Sequence, residues 1–357
     1  MPRGDPAWPQ SAAPSGARDA TPSVRAERCV HSLCEQARCR ACVTACPTGA
    51  WSLDDDQLGI DPDRCDGCGL CVAACPQQAL DLPLQPLLIN LAGRRAMLLA
   101  CDRIGAAERL DGIVPCVHAI SLRRLTRYTS ERVSAVIYST GDCTACPRGG
   151  AKPLEQHLRR ANRILNSRHL PHLSFTRLAP RDWLELRARH ATVSTGRRRF
   201  LVDGLSRLAQ SEREPTDPDR AHPQTATTAL DAPGTGLAEW RPHLDPQRCD
   251  GCGACFRLCP TDALRHDRTA NLFHVTPDAC TGCGLCGDVC ERDAITTTAL
   301  GAAKPYSIAL EPRRCRACGV TFPVIEAAKD DQQHCPICRE VNHYRRLYQV
   351  LDGDSVT

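Results

Sequence analysis

The chain has 357 residues, 25 of them cysteine, and a formal net charge of +4 at pH 7. That length accommodates two or three domains, and so small a net charge does not by itself point to a polyanionic partner. Cysteine at this density would mean a disulfide framework only in a short secreted protein, so the reading is thiols kept reduced in a cytoplasm and available to metals.

Residues 1–27 contain no apolar signal-like core and read as a disordered tail. Residues 28–90 carry a first octet of cysteines: Cys34, Cys39, Cys42, Cys46, Cys65, Cys68, Cys71 and Cys75. Its second half has the spacing C-x2-C-x2-C-x3-C, whereas its first half is stretched to C-x4-C-x2-C-x3-C. Between the halves, WSLDDDQLGID (51–61) predicts a β-hairpin.

Residues 92–200 change character. Apolar runs at Ala96–Ala100, Gly112–Pro115 and Val133–Ser139 lead to Cys101, Cys116, and the pair Cys143 and Cys146. A helical stretch at 120–128 and helical spacing of Leu154, Leu158, Ala161 and Leu165 complete a β–α–β–α pattern with parallel strands. The quartet would then meet at the carboxyl edge of the sheet. His118 and His157 lie near it in sequence without a clear role.

A Pro/Thr/Asp/Ala-rich stretch within 205–238 reads as a flexible linker. Residues 240–300 hold a second octet in two regular motifs: Cys249, Cys252, Cys255, Cys259, then Cys280, Cys283, Cys286, Cys290. LRHDRTANLFHV (264–275) predicts another hairpin. In residues 305–357, Cys315-x2-Cys318 and Cys335-x2-Cys338 read as two knuckles of a ribbon closing on a tetrahedral zinc. Rubredoxin-like iron is the rival there, with only Phe322 and the distant Tyr344 as covering aromatics. His334 reads as solvated.

The two octets are internal repeats, ending alike at CPTGAW (46–51), CPQQAL (75–80), CPTDAL (259–264) and CERDAI (290–295). Both resemble the bacterial two-[4Fe-4S] ferredoxin family, which makes the chain polyferredoxin-like. The resemblance implies that the fourth cysteine of each motif serves the neighbouring cluster. Carried over, the ligand sets are Cys34, Cys39, Cys42 and Cys75; Cys46, Cys65, Cys68 and Cys71; Cys249, Cys252, Cys255 and Cys290; and Cys259, Cys280, Cys283 and Cys286. The stretched motif leaves alternatives open: Cys34 ligates across a longer loop, which is the preferred reading; the site is a three-iron or labile cluster; or Cys29 substitutes.

The middle segment resembles the small iron–sulfur (delta) subunit of hydrogenase and heterodisulfide reductase complexes, through Cys101, V-P-C at Cys116 and G-D-C-x-x-C at Cys143. That resemblance implies a [2Fe-2S] cluster on the quartet. The expected fold is α+β: two bacterial-ferredoxin-like modules flanking a small α/β domain with a parallel sheet, then a zinc ribbon.

The expected cofactors are four [4Fe-4S] clusters, one [2Fe-2S] cluster, and zinc or a single iron. With no dinucleotide loop and no nucleophilic triad visible, the expected function is electron transfer to a larger oxidoreductase, hydrogenase-, formate dehydrogenase- or heterodisulfide-reductase-like. Its partners would be other redox proteins. Two other readings stand beside it. One is an enzyme with its own site at the middle quartet or first cluster; the other is an iron–sulfur sensor of nucleic acid. Lysine and arginine together number 45, yet only Lys152, Lys304 and Lys329 are lysines. The tightest arginine run, Arg197 to Arg199, is too short to argue for nucleic acid. No apolar stretch is long enough to span a membrane.

Overall fold

A computed structural model describes residues 21–54, 57–105, 110–148, 153–191, 225–228, 230, 233–325 and 332–341. Most of the tail, the Arg197–Arg199 run, the stretch 205–224 and Tyr344 lie outside the described residues.

The first cysteine-rich unit is assembled from short pieces, because its loops turn around cysteine-lined sites rather than around a large apolar core. β1 (Ser23–Val24) pairs antiparallel with β4 (Leu80–Asp81), so the end of the segment read as a disordered tail is an ordered edge strand. Between them lie α1 (Val30–Leu33), α2 (Ala41–Ala45), the hairpin of β2 (Trp51–Asp54) and β3 (Gln57–Ile60), and α3 (Leu70–Ala74).

The middle sheet has five strands. β5 (Leu87–Leu91) runs antiparallel to β6 (Arg94–Cys101), while β7 (Ile113–Val114) and β8 (Val133–Ser139) both run parallel to β6. β9 (Ser174–Arg177) continues the parallel order on β8. Residues Ala96 to Ala100 of β6 are all fully buried, which is why this run is apolar without alternation: both faces of a central parallel strand are covered. The covering comes from α4 (Leu122–Ser130), α5 (Pro153–Ser167) and α6 (Pro180–Ala191). Ser121 caps α4 by accepting from the Arg124 amide at 3.2 Å. On α5, Leu154, Leu158, Ala161, Ile164 and Leu165 form the inward stripe, and Trp183 of α6 is fully enclosed.

The second unit repeats the first. β10 (Trp240–Leu244) pairs antiparallel with β13 (Ile295–Ala299), enclosing α7 (Ala254–Leu258), the β11 (Leu264–Asp267)–β12 (Leu272–Val275) hairpin and α8 (Leu285–Asp288). β12 also pairs with β14 (Tyr306–Arg314), which pairs with β15 (Thr321–Ile325). A single four-stranded sheet therefore runs across the boundary that composition suggests near residue 305. α9 (Pro336–Val341) closes the described chain.

The described end of the linker is not solvated. Thr225, Ala226 and Thr227 are buried, and the Thr225 hydroxyl donates to the Asp278 carbonyl at 2.5 Å. Asp278 also accepts from Arg168 at 2.5 Å and from the Gly234 amide at 2.6 Å, fastening α5 to the second unit.

Candidate metal centres

Each regular motif wraps around its site by the same device. Ahead of its third cysteine stands a left-handed glycine that opens a short helix: Gly69 (φ 75°) before α3, Gly253 (φ 69°) before α7 and Gly284 (φ 84°) before α8. A second left-handed glycine precedes each, and at Gly282 a Cβ would lie 2.5 Å from the Trp240 ring. The stretched motif has no glycine between Cys34 and Cys42, and no positive φ there; Arg40, at the matching place, has φ −127°.

The consequence is visible in where the sulfurs go. Cys29, Cys39, Cys42 and Cys75 line one pocket, together with Val43, Leu53, Leu58 and Pro76. Cys34 does not line it. Cys34 packs against the core of the second unit, which takes in Val30 and Ala37, and Cys39 packs against that core as well. Spacing favours Cys34 for the first set; in the fold it is Cys29 that shares the pocket with Cys39, Cys42 and Cys75.

The other sets gather as crossed groups. Burial pushes the Cys71 thiol up to about 11, and Cys46 and Cys65 add to the effect; Cys68, pushed to about 12, also faces Cys71. Cys249, Cys252, Cys255 and Cys290 line one cavity with Phe256 and Phe273, whose rings stack at 3.9 Å. Cys280 and Cys286 are raised by burial and then by Cys259 and Cys283, Cys286 to about 12. Thiols raised by burial and by one another match sites where iron supplies the missing positive charge. Backbone amides approach the sulfurs as well: Ala50 to Cys46 at 3.3 Å, Ala79 to Cys75 at 3.3 Å and Ala294 to Cys290 at 3.2 Å. Such donors suit a thiolate bound to metal and tune its potential.

The middle quartet does converge at the carboxyl edge of the parallel sheet. Cys101 ends β6, Cys116 follows β7, and Cys143 and Cys146 follow β8, and all four line one pocket with Leu70, His118 and Arg148. The Gly141 amide donates to Cys101 Sγ at 3.3 Å. His118 is buried with Nε2 3.7 Å from Cys143 Sγ. His157 is 2.9 Å from the Ile120 carbonyl through Nδ1 and holds α5 to the preceding loop rather than facing the quartet.

Cys315, Cys318, Cys335 and Cys338 form a different kind of site. Their sulfurs all lie within 4.8 Å of one another, and Cys318 and Cys335 are 3.8 Å apart. A tetrahedral ion with Zn–S bonds of about 2.3 Å spaces its sulfurs about 3.8 Å apart, so this quartet fits one ion. Among the described residues no other cysteine group is so compact. Burial pushes the Cys315 thiol up, but amide donors from Cys318 and Cys335 outweigh it and bring it down to about 6.

The centres form a row. Cys116 of the middle quartet packs against Cys68 and Leu70 of the first unit. Arg148 fastens that contact, donating to Asp66 at 2.6 Å, to Asp102 at 2.8 Å and 3.0 Å, and to the Pro115 carbonyl. Cys71 and Cys75, from adjacent sets, share one small core. At the far end Arg339 donates to Asp250 at 2.9 Å, seating the compact quartet beside the Cys249 set. Charge pairing across long sequence separation has no local signal, so nothing in the sequence singles out Arg148, Arg168 or Gln77.

Comparison with known proteins identifies the class of these segments. Residues 242–297 match the family described as 4Fe-4S dicluster domain, and residues 58–81 and 26–49 match 4Fe-4S binding domains. Iron–sulfur clusters are thus the cofactor of both octets. The chain is 36% identical over 110 residues to the electron transport protein HydN of Escherichia coli (strain K12), covering 29% of this chain and 63% of that protein. It is 45% identical over 51 residues to the polyferredoxin protein MvhB of Methanothermobacter marburgensis, 12% of each chain. It is also 40% identical over 55 residues to one subunit of the ion-translocating oxidoreductase complex of Methanosarcina acetivorans, 15% of this chain and 21% of that relative. The chain spans a little under two thirds of HydN. No described helix is long and apolar enough to cross a membrane.

Proposed function

We propose that the chain is a multi-cluster electron-transfer protein serving a larger oxidoreductase complex. Four [4Fe-4S] clusters occupy the two ferredoxin-like units, with Cys46, Cys65, Cys68 and Cys71; Cys249, Cys252, Cys255 and Cys290; and Cys259, Cys280, Cys283 and Cys286 as three of the sets. The middle quartet takes a [2Fe-2S] cluster, and the compact quartet takes structural zinc. The observation that carries this reading is the unbroken row of cysteine sites, each packed against the next. A substrate enzyme needs one centre beside a pocket; a row of centres suits a carrier taking one electron at a time from a donor protein to an acceptor.

The convergence of Cys101, Cys116, Cys143 and Cys146 on one pocket at the sheet edge supports a cluster there. Within each site the chain's contribution is plain: thiolates hold iron, amide donors set the potential, and apolar neighbours keep water out. Iron, sulfide and zinc analysis of anaerobically purified protein, with low-temperature EPR, tests the reading. It expects about sixteen cubane irons, about two more from a two-iron centre, and one zinc. Fewer than about twelve irons would overturn the four-cubane assignment.

A further inference from the structure

We propose that the segment Cys29–Cys39 is an electron junction between the two ferredoxin-like units: Cys29 completes the first cluster site, and residues 30–38 seat that site against the one held by Cys259, Cys280, Cys283 and Cys286. The proposal rests on the electron-carrier reading and extends it to the route between units.

In a regular motif the first cysteine belongs to the same loop as the next two. Here the first sulfur of the pocket comes from upstream, at the N-terminus of α1, and nine residues separate it from Cys39. Those residues are not idle length. Val30 and Ala37 are 2% and 7% exposed, buried in the core of the second unit with Leu285 and Val289. The Arg38 amide donates to Asp288 Oδ2 at 2.9 Å, joining the loop to the end of α8. His31 fixes the loop from inside, its Nε2 2.7 Å from the Cys39 carbonyl.

A second contact lies on the other side of the same pocket. Gln77 follows Cys75 and lines the pocket, and its Nε2 donates to Thr281 Oγ1 at 2.7 Å, both side chains being 2% exposed. Thr281 follows Cys280, and both Gln77 and Thr281 hydrogen-bond to the Cys283 thiol. Cys39 and Cys283 also pack against one and the same apolar core. A dry, hydrogen-bonded contact thus joins a ligand of one site to a ligand of the next. One electron crosses it at a time: the site on one side is oxidised as the other is reduced, and no bond is made or broken. The electron enters from a one-electron donor protein, and the oxidoreductase partner receives it.

The test uses the full-length, anaerobically loaded protein. Cys34→Ser should keep wild-type iron, and Cys29→Ser should lose about four irons, one cubane. Alkylation of the loaded wild type, read by mass spectrometry, should label Cys34 and leave Cys29 protected, which decides the ligand even if the Cys29 variant does not fold. Cys68→Ser with Cys252→Ser removes a ligand from the outer site of each unit. The two remaining inner clusters should still show spin–spin coupling by EPR when reduced. Loss of iron from Cys34→Ser, labelling of Cys29, or magnetically isolated inner clusters would overturn the junction while leaving the carrier reading intact. Absence of cubane iron in the wild type would overturn the carrier reading itself.

Discussion

The two cysteine octets share one motif pattern, yet they sit differently in the fold. The second has two regular motifs, each wrapped by left-handed glycines, and stacked phenylalanines in a core that also takes in Val30 and Ala37 from the first. The first has one stretched motif without glycines and is gripped from both sides, by Arg148 and Arg123 of the middle domain and by the 259–290 region of the second unit. A regular motif specifies its own site because three sulfurs share one tight loop. A motif without those glycines leans on neighbouring segments, and those segments connect the units.

The sharpest way to break this comparison is to remove the metals. Chelation under reducing conditions should unfold both cysteine-rich units and the compact quartet, because binding energy there is folding energy. The five-stranded sheet, with its own core of Met97, Leu98, Leu99, Val136 and Trp183, should stay folded. Circular dichroism and hydrogen exchange would show retained protection confined to residues of that sheet; uniform loss would refute the distinction.

A smaller effect is expected at Arg168. Its guanidinium is fully buried against Asp278, so Arg168→Ala should cost about 3 kcal/mol by stranding a buried carboxylate. Chemical denaturation would register it in the second unit. Arg148→Ala should cost less, about 2 kcal/mol, because Asp66 and Asp102 are partly exposed and can find water. The same variant should loosen the middle quartet, seen as faster iron loss there than from either octet.

The mildest effect is read by pH. A thiol must lose its proton to bind metal, so acid competes with loading. Cys42, Cys68 and Cys249 are each pushed by burial to about 12, and within the compact quartet Cys338 is likewise pushed to about 12 although Cys315 is held down to about 6. Metal titrations at about pH 8.5 and 6.5 should show weaker loading of both octets and quartet at the lower pH; unchanged affinity would contradict this.

Much of the site was legible because its signals are local. The two-residue gaps at Cys65, Cys249 and Cys280 imply sulfurs facing one site, and the apolar runs before Cys101, Cys116 and Cys143 do pair as parallel strands delivering the quartet to one edge. Elsewhere the decisive information is long-range. Cys34 has the spacing, yet Cys29 is the cysteine that lines the pocket with Cys39, Cys42 and Cys75, and Thr225 to Thr227 fall in the stretch read as linker yet are buried beside Asp278. The sheet that continues from β12 into β14 erases a boundary that composition alone suggested.

By itself, then, the sequence determined the chemistry: cysteine spacing is a property of a single loop, and a loop's reach is set by its residue count and glycines. Only the tertiary structure decided how the sites connect. Gln77 and Thr281 are 204 residues apart, and whether they meet depends on how two apolar surfaces pack, which no local pattern encodes. The same packing decides that Cys29 shares a pocket with Cys39, Cys42 and Cys75.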